Sequence, residues 1–186
     1  SLVVGCGVIE EEQTTTDSGG GVIATAAPIP TGSAVTHWSG TKQLGTSGDD
    51  FAIGITSDPS GNVYVTGYTG GGLDGNASAG NDDIFIVKYD SGGIKQWTQQ
   101  LGTADFDRAF AITSDSSGNV YVTGYTQGSL DGNTNAGSED LFVAKYDSGG
   151  IKQWTRQIGT AEEDIAIGIT SDPSGNVYVT GYTGGS

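Results

Sequence analysis

Two stretches of the sequence place oxygen donors at every second residue. Asp74, Asn76, Ser78 and Asp82, with Gly80 among them, are echoed by Asp131, Asn133, Asn135 and Glu139 around Gly137. Calcium takes roughly six to eight hard oxygen ligands in loose geometry, and glycine lets the backbone wrap an ion. Both stretches are therefore candidate calcium sites. They only half match an EF-hand loop, because the glycine is displaced and Phe85 stands where a bidentate Glu belongs. A solvated turn-rich loop of Gly, Asn and Asp is the competing reading. No cofactor is required, and Ca2+ is the ion these residues could take.

Other chemistry finds fewer candidates. The one His, His37, stands beside Trp38 outside the repeated units, so a Ser-His-Asp or Cys-His arrangement would have to be assembled from unrepeated residues. Carboxylates recur in every copy, as a surface design does, whereas the pair that cleaves a glycoside is a unique feature of a ring. We expect no catalytic residues and no enzyme. Tyr68, Tyr125 and Tyr182 could stack on sugars, but their places at strand ends favour packing between units.

Composition narrows the partners. The chain has 33 Gly, no Met, one Cys, and a formal charge of -15. Such a surface repels phosphate backbones and anionic headgroups, so nucleic acid is not expected as a partner. No run approaches the roughly 18 apolar residues of a membrane span. Residues 3 to 6 read V-V-G-C and resemble a bacterial lipobox, in which Cys6 would be acylated. Residues 1–5 then read as the remnant of a signal peptide. Residues 6–37, acidic and rich in Gly and Thr without periodicity, read as a flexible tether. Contact with a membrane is expected only through that lipid anchor.

The elements that must position these residues come from a repeat. GNVYVTGYT recurs at Gly61, Gly118 and Gly175, and KYDSGGIKQWT at Lys88 and Lys145, always 57 residues apart. Residues 47–103 and 104–160 are identical at 39 of 57 positions, with no insertion or deletion. The third copy stops at Ser186 in mid-unit, which reads as a truncation.

Each unit spells four strands, exemplified by Phe51 to Thr56, Asn62 to Thr69, Ile84 to Tyr89 and Ile94 to Gln100. Asp58-Pro59-Ser60-Gly61 and Asp90-Ser91-Gly92-Gly93 supply tight turns, leaving a long loop only between the second and third strands. IFIV is apolar on consecutive residues, so both faces of the sheet must be covered, and neighbouring units must do the covering. Radial stacking does this. The small residues Ala52 and Gly54, Ala109 and Ala111, Ala166 and Gly168 suit the innermost strand. The fold class is thus all-β: a β-propeller fragment of four-stranded antiparallel blades, two full copies and a partial third. The blades occupy 38–186, as 46–103, 104–160 and the partial 161–186; an open β-solenoid is the structural alternative.

The units DxxxxIxSDxSGNVYVTGYT and FxxKYDSGGIKQW resemble the bacterial β-propeller repeat known as SBBP, from about Gly45 to Ser186. The resemblance implies a secreted or surface protein with further blades of the same chain as its first partners, and no common reaction. The first copy departs from the pattern, since Gly40 falls where Trp97 and Trp154 stand, which puts a complete outer strand ahead of blade one in doubt.

In an antiparallel blade the long loop and the connection to the next blade leave at the same end. Asp49, Asp50, Asp74, Asp82, Asp83, Asp105, Asp107, Asp131, Glu139, Asp140, Glu162, Glu163 and Asp164 are therefore expected around one rim. The functional expectation is a non-catalytic, lipid-anchored scaffold of the bacterial cell envelope, at the outer membrane or cell surface, or otherwise secreted. It would serve adhesion or interaction with a protein or carbohydrate ligand. Two alternatives are non-catalytic blades of a secreted polysaccharide-acting enzyme and a calcium-stabilised structural module. With open faces and strand edges, the isolated piece is expected to be marginal or to self-associate.

Overall fold

The computed structural model describes Leu2–Gly5 and residues 41–184. In chain order these form β1 (Leu2–Gly5), β2 (Thr41–Leu44), β3 (Asp50–Ser57), β4 (Val63–Thr69), β5 (Asp83–Tyr89), β6 (Lys95–Leu101), β7 (Asp107–Ser114), β8 (Val120–Thr126), β9 (Asp140–Tyr146), β10 (Lys152–Ile158), β11 (Asp164–Ser171) and β12 (Val177–Thr183). Strands β3-β4-β5-β6 and β7-β8-β9-β10 make two four-stranded antiparallel sheets. These are blades one and two. β11-β12 begins a third, and β1-β2 makes a separate pair.

The turns form for the reason their residues suggest. Gly61 adopts φ +80 and donates its N–H to the Asp58 carbonyl at 2.9 Å, while the Asp58 N–H reaches the Asn62 carbonyl at 3.0 Å. Asp58 Oδ1 also accepts the Ser60 and Asn62 N–H groups, at 2.9 and 3.0 Å. A side chain that mimics a turn carbonyl fixes the hairpin locally. Each first strand carries a bulge at the same place, between Ala52 and Gly54, Ala109 and Ala111, and Ala166 and Gly168. Bulges bend a strand and sharpen its twist. The small residues beside them are needed: a Cβ on Gly54 would stand 3.3 Å from Ala111 Cα in the next inner strand.

Blades cover each other face to face. Tyr64, Ile84 and Ile86 of blade one pack with Val120, Val122, Phe142, Ala144 and Tyr146 of blade two in one core. The opposite face of blade one gathers Val63, Val65, Phe85, Val87 and Tyr89, with Leu73 and with Leu44 of β2 against it. Fully burying a side chain such as Phe85 contributes about 1.5–3 kcal/mol, so the two-faced apolar strands are what hold the stack together. β2 occupies the place where an outer strand ahead of blade one was in doubt. Leu2–Gly5, read from sequence as a leader remnant, pairs with it as β1. The expected tether, Cys6, His37, Trp38 and Gly40 lie outside the described residues.

Candidate interaction face

The long loops and the inter-blade connections do emerge together. Asp82 bridges to Phe106 and Glu139 to Glu163 in short parallel pairings. The Asp107 N–H donates to the Asp82 carbonyl at 2.8 Å and that of Asp164 to the Glu139 carbonyl at 2.7 Å. Each long loop is thereby tied to the start of the next blade.

Apart from Glu139, which is half-buried and hydrogen-bonded to Gln127, the acids expected along this rim separate into three kinds. Asp50, Asp83, Asp107, Asp140 and Asp164 are buried. Asp107 accepts the Thr103 hydroxyl at 2.8 Å and the Thr126 hydroxyl; Asp50 accepts the Thr46 N–H at 2.6 Å and the Thr69 hydroxyl at 2.6 Å. Asp83 Oδ2 accepts from the Ala79 N–H at 2.7 Å and Gln100 Nε2 at 2.8 Å, and Asp140 repeats this with Ala136 and Gln157 at 2.7 and 2.9 Å. The other oxygens, Asp83 Oδ1 and Asp140 Oδ1, have no hydrogen-bond partner. They lie against glycine: a Cβ on Gly102 would come within 1.9 Å of the first, and one on Gly159 within 2.1 Å of the second. Burial pushes the Asp107 carboxyl up, against its threonine hydrogen bonds and with Asp83 adding to the rise. These five are framework groups that pin loops, and they correct the expectation of a single acidic surface.

The second kind is paired with cations. Asp74 meets Lys95 and accepts the Thr98 hydroxyl at 2.7 Å; Asp131 meets Lys152; Asp82 meets Arg108 at 2.6 Å. Leu73–Gly75 and Leu130–Gly132 form 3-10 turns in which Asp74 and Asp131 hold φ near +58 and +55. These turns fold down along the outer strand rather than standing on the rim. Leu73 is buried, its N–H held by Gln100 Oε1 at 2.9 Å, and Asn76 Nδ2 reaches the Leu73 carbonyl at 2.9 Å. The placement covers the edge of the outer strand, which would otherwise offer free backbone groups. The Lys95 contact, with the Thr98 hydrogen bond, holds the Asp74 carboxyl below its ordinary range.

The candidate calcium donors are consequently dispersed. Ser78 donates to the Gly80 carbonyl at 3.2 Å, Asn133 Nδ2 donates to the Leu130 carbonyl at 2.8 Å, Asn135 Nδ2 donates to the Gln127 carbonyl at 2.9 Å, and Glu139 accepts from Gln127 Nε2 at 2.8 Å. Among the described residues no group of three or more His, Cys, Asp or Glu side chains is placed to hold a metal.

The third kind is exposed. Asp49, Asp105, Glu162 and Glu163 all sit on the connections that lead into β3, β7 and β11. The aromatic residues nearby pack against each other: Phe51 stacks on Tyr68 at 4.9 Å, and Phe110 meets Tyr125 at 5.7 Å.

A further set of contacts, absent from the sequence-based expectation, joins the blades. At the tight-turn end Lys88 Nζ and Trp97 Nε1 both donate to the Ser148 carbonyl of the next blade, at 2.8 and 3.2 Å. Ser114 Oγ donates to the Ser57 carbonyl at 3.0 Å and Ser171 Oγ to the Ser114 carbonyl at 3.1 Å, clipping successive inner strands together. The recurrence of Ser57, Ser114 and Ser171 at one spacing was the available signal.

The sequence model of the SBBP family, described as a beta-propeller repeat, matches residues 40–74, 96–131 and 153–186. The chain belongs to this family. Each SBBP match starts at or near an outer strand and runs through the first two strands of the following blade, so the family's unit straddles the blade boundary that the hydrogen bonds define. Two curated relatives are similar to this SBBP chain. An uncharacterized WD repeat-containing protein, L264, of Acanthamoeba polyphaga mimivirus is 27% identical over 170 residues, covering 70% of this chain and 12% of the relative. Regulatory protein FlaEY of Caulobacter vibrioides is 29% identical over 143 residues, covering 73% of this chain and 15% of the relative. The chain thus spans less than a sixth of either relative's length.

Proposed function

We propose that this chain is a non-catalytic interaction scaffold whose loop-bearing end docks a basic protein surface. The observation that carries this reading is the division of the acids. Burial and ion pairing account for Asp50, Asp74, Asp82, Asp83, Asp107, Asp131, Asp140 and Asp164, whereas Asp49, Asp105, Glu162 and Glu163 are left exposed at corresponding connections in all three copies. On a chain of net charge -15 such a ring of carboxylates steers cationic partners and repels anionic ones. Chemistry of glycoside cleavage is disfavoured at Asp83 and Asp107, two carboxylates near enough to act on each other, because both are fully buried. The names of the two relatives, a WD repeat-containing protein and a regulatory protein, agree with a binding role.

The test is calorimetric titration with an oligolysine peptide at low and high salt. Binding should be measurable where the Debye length is about 30 Å and lost where it is about 3 Å. The variant D49N/D105N/E162Q/E163Q should bind markedly more weakly than one with four neutralised charges elsewhere, E10Q/E11Q/E12Q/D17N. Equal loss in both would reduce the effect to net charge and overturn the assignment of this face.

A further inference from the structure

A cavity of about 270 Å³ opens at the tight-turn end, between blades one and two and away from the acidic loops. Its walls are the 58–62 turn of blade one, the 116–118 turn of blade two, Ser148 from the second tight turn of blade two, and Lys88 of β5. All of these belong to the two complete blades. Small-molecule sites begin at roughly 300 Å³, so a cavity of this size takes a ligand no larger than about one sugar ring.

The charged groups in the wall disfavour an ion of either sign. Asp58 has both carboxylate oxygens committed: Oδ1 accepts the Ser60 and Asn62 N–H groups, and Oδ2 accepts Asn62 Nδ2 at 2.7 Å and the Tyr64 hydroxyl at 3.0 Å. A carboxylate offers about four acceptor positions, so none is left for a cation. Lys88 Nζ lies 5.3 Å from the centre of the Tyr64 ring and gives one N–H to the Ser148 carbonyl at 2.8 Å, which leaves its other donors for a ligand. An anion drawn to that ammonium would meet the Asp58 charge in the same cavity. The site is close to neutral.

What remains is hydroxyl chemistry. Among the described residues the hydroxyls of Ser60, Ser116, Ser117 and Ser148 make no hydrogen bond to the protein, and Asn62, with Nδ2 on Asp58, keeps its Oδ1 as an acceptor. Each hydroxyl both donates and accepts. Ser116 sets this cavity apart from the repeat, because Pro59 and Pro173 hold the same place in the other two copies. A hydroxyl stands where the turn itself favours proline.

We propose that this cavity binds one neutral sugar residue, whose hydroxyls accept from Lys88 and exchange hydrogen bonds with Ser60, Ser116, Ser117 and Ser148. A sugar both donates and accepts without carrying charge, which is what this lining asks of a ligand. A free sugar and the terminal unit of a glycan share that chemistry. The site lies at the opposite end from the exposed acids, so it stands independently of a basic partner docked there.

Amide NMR spectra of the isotope-labelled chain, titrated with the methyl glycosides of glucose, galactose, mannose and N-acetylglucosamine, test this. At least one should shift the Ser60, Ser117, Gly118 and Ser148 amides saturably, with a Kd of about a millimolar for a ligand of about a dozen heavy atoms. Ser116→Pro should weaken binding about fivefold, the loss of one hydrogen bond. The fold is kept, because proline already holds this turn position as Pro59 and Pro173. Lys88→Met should weaken it about tenfold, since a hydrogen bond from a charged donor is lost. Ser174→Ala, in the corresponding turn of the third copy and outside the cavity, should change nothing. A linear trisaccharide ending in the bound unit should bind equally if the site takes the end of a glycan, and should be excluded if it takes the free sugar; either result upholds the site. No saturable shift with any of the glycosides would overturn the proposal, and so would binding that neither Ser116→Pro nor Lys88→Met weakens. Sodium sulfate shifting the same amides more strongly than any sugar would overturn it in favour of an anion site.

Discussion

Arg108 of blade two reaches back across the blade interface to Asp82 of blade one, with Nη2 at 2.6 Å and Nε at 2.7 Å from the same Oδ2. Its guanidinium also lies over the Tyr68 ring at 4.6 Å. The repeat does not supply this contact, since position 108 is Phe51 in the first copy and Ile165 in the third. Among the described residues it is the one salt bridge between blades one and two, beside the hydrogen bonds from Lys88, Trp97 and Ser114 that also join them. Both side chains keep some exposure, 32% and 14%, so solvent screens the pair. Arg108→Ala should cost about 1 kcal/mol in urea unfolding, part of it from lost packing on Tyr68. Arg108→Lys should recover less than half, because an ammonium has no planar fork for the ring and the carboxylate. Full recovery by lysine would show that charge alone matters here.

Gly102 passes over Asp83 with no space for a side chain, since a Cβ would stand 1.9 Å from Oδ1. That oxygen is buried and the opposite oxygen already holds Ala79 and Gln100, so the carboxyl cannot rotate away without losing both. Gly102→Ala is expected to destabilise by about 2–3 kcal/mol through overpacking. Gly70→Ala, whose Cβ would be 3.4 Å from the nearest atom, should stay within about 0.5 kcal/mol. Similar effects at both positions would mean that the Asp83 loop yields readily.

How far the fold was legible follows from the range of each signal. Strands and tight turns rest on local chemistry, and the expected Phe51 to Thr56 strand lies within the observed Asp50–Ser57. Blade stacking followed from IFIV, apolar on both faces. The acids were less legible because Asp49 and Asp50 are identical in type, yet strand alternation buries one and exposes the other. A threonine four residues ahead of the buried acid, as in Thr46 with Asp50, Thr103 with Asp107 and Thr160 with Asp164, was a usable sign. The descent of the Leu73–Gly75 turn onto the outer strand depends on Lys95, 21 residues away, and on a left-handed Asp74, neither of which the donor spacing reveals. β1 was illegible for a different reason: Leu2–Gly5 is a short apolar run with no turn or periodicity of its own, and its partner β2 stands far along the chain.

Stability should pass through a maximum at mildly acidic pH. Asp107, pushed up chiefly by burial, binds its proton more tightly folded than unfolded, so stability falls as pH rises from 3.8 through its folded value. The charge of -15 at neutral pH adds self-repulsion in the same direction. Asp58 and Asp115 oppose this on the acid side. Burial would raise both, but hydrogen bonds led by Asn62 and Asn119 outweigh it and hold them below 3.8. Their stabilisation is present above 3.8 and is lost as pH falls through their folded values. A melting series should therefore peak a little above pH 4, and Asp107→Asn should flatten the neutral side. A melting temperature that climbs steadily from pH 4 to 7 would contradict this balance.

Calcium should leave the melting temperature unchanged relative to excess chelator. To gather Asp74, Asn76, Ser78 and Asp82 around an ion, the chain would have to break the contacts of Asp74 with Lys95 and Thr98 and of Asp82 with Arg108, and lift a turn whose Leu73 is buried. A ligand that binds only the folded state raises stability with concentration, so a saturable rise in melting temperature would show that these loops rearrange to bind it.

Tyr64 and Tyr178 occupy the same place in copies one and three, which isolates the effect of a covering blade. Both hydroxyls donate to the turn aspartate, Tyr64 to Asp58 at 3.0 Å and Tyr178 to Asp172 at 3.1 Å. Tyr64 is fully buried and its oxygen also lies 3.3 Å from the Gly118 carbonyl of blade two, while Tyr178 is 55% exposed. Burial, then the bond to Asp58, pushes the Tyr64 hydroxyl well above its ordinary range, so it stays a donor at any working pH. Tyr64→Phe leaves buried acceptors short of a hydrogen bond and should cost about 1–3 kcal/mol. Tyr178→Phe removes the same bond where water can replace it and should fall within about 0.5 kcal/mol of the parent.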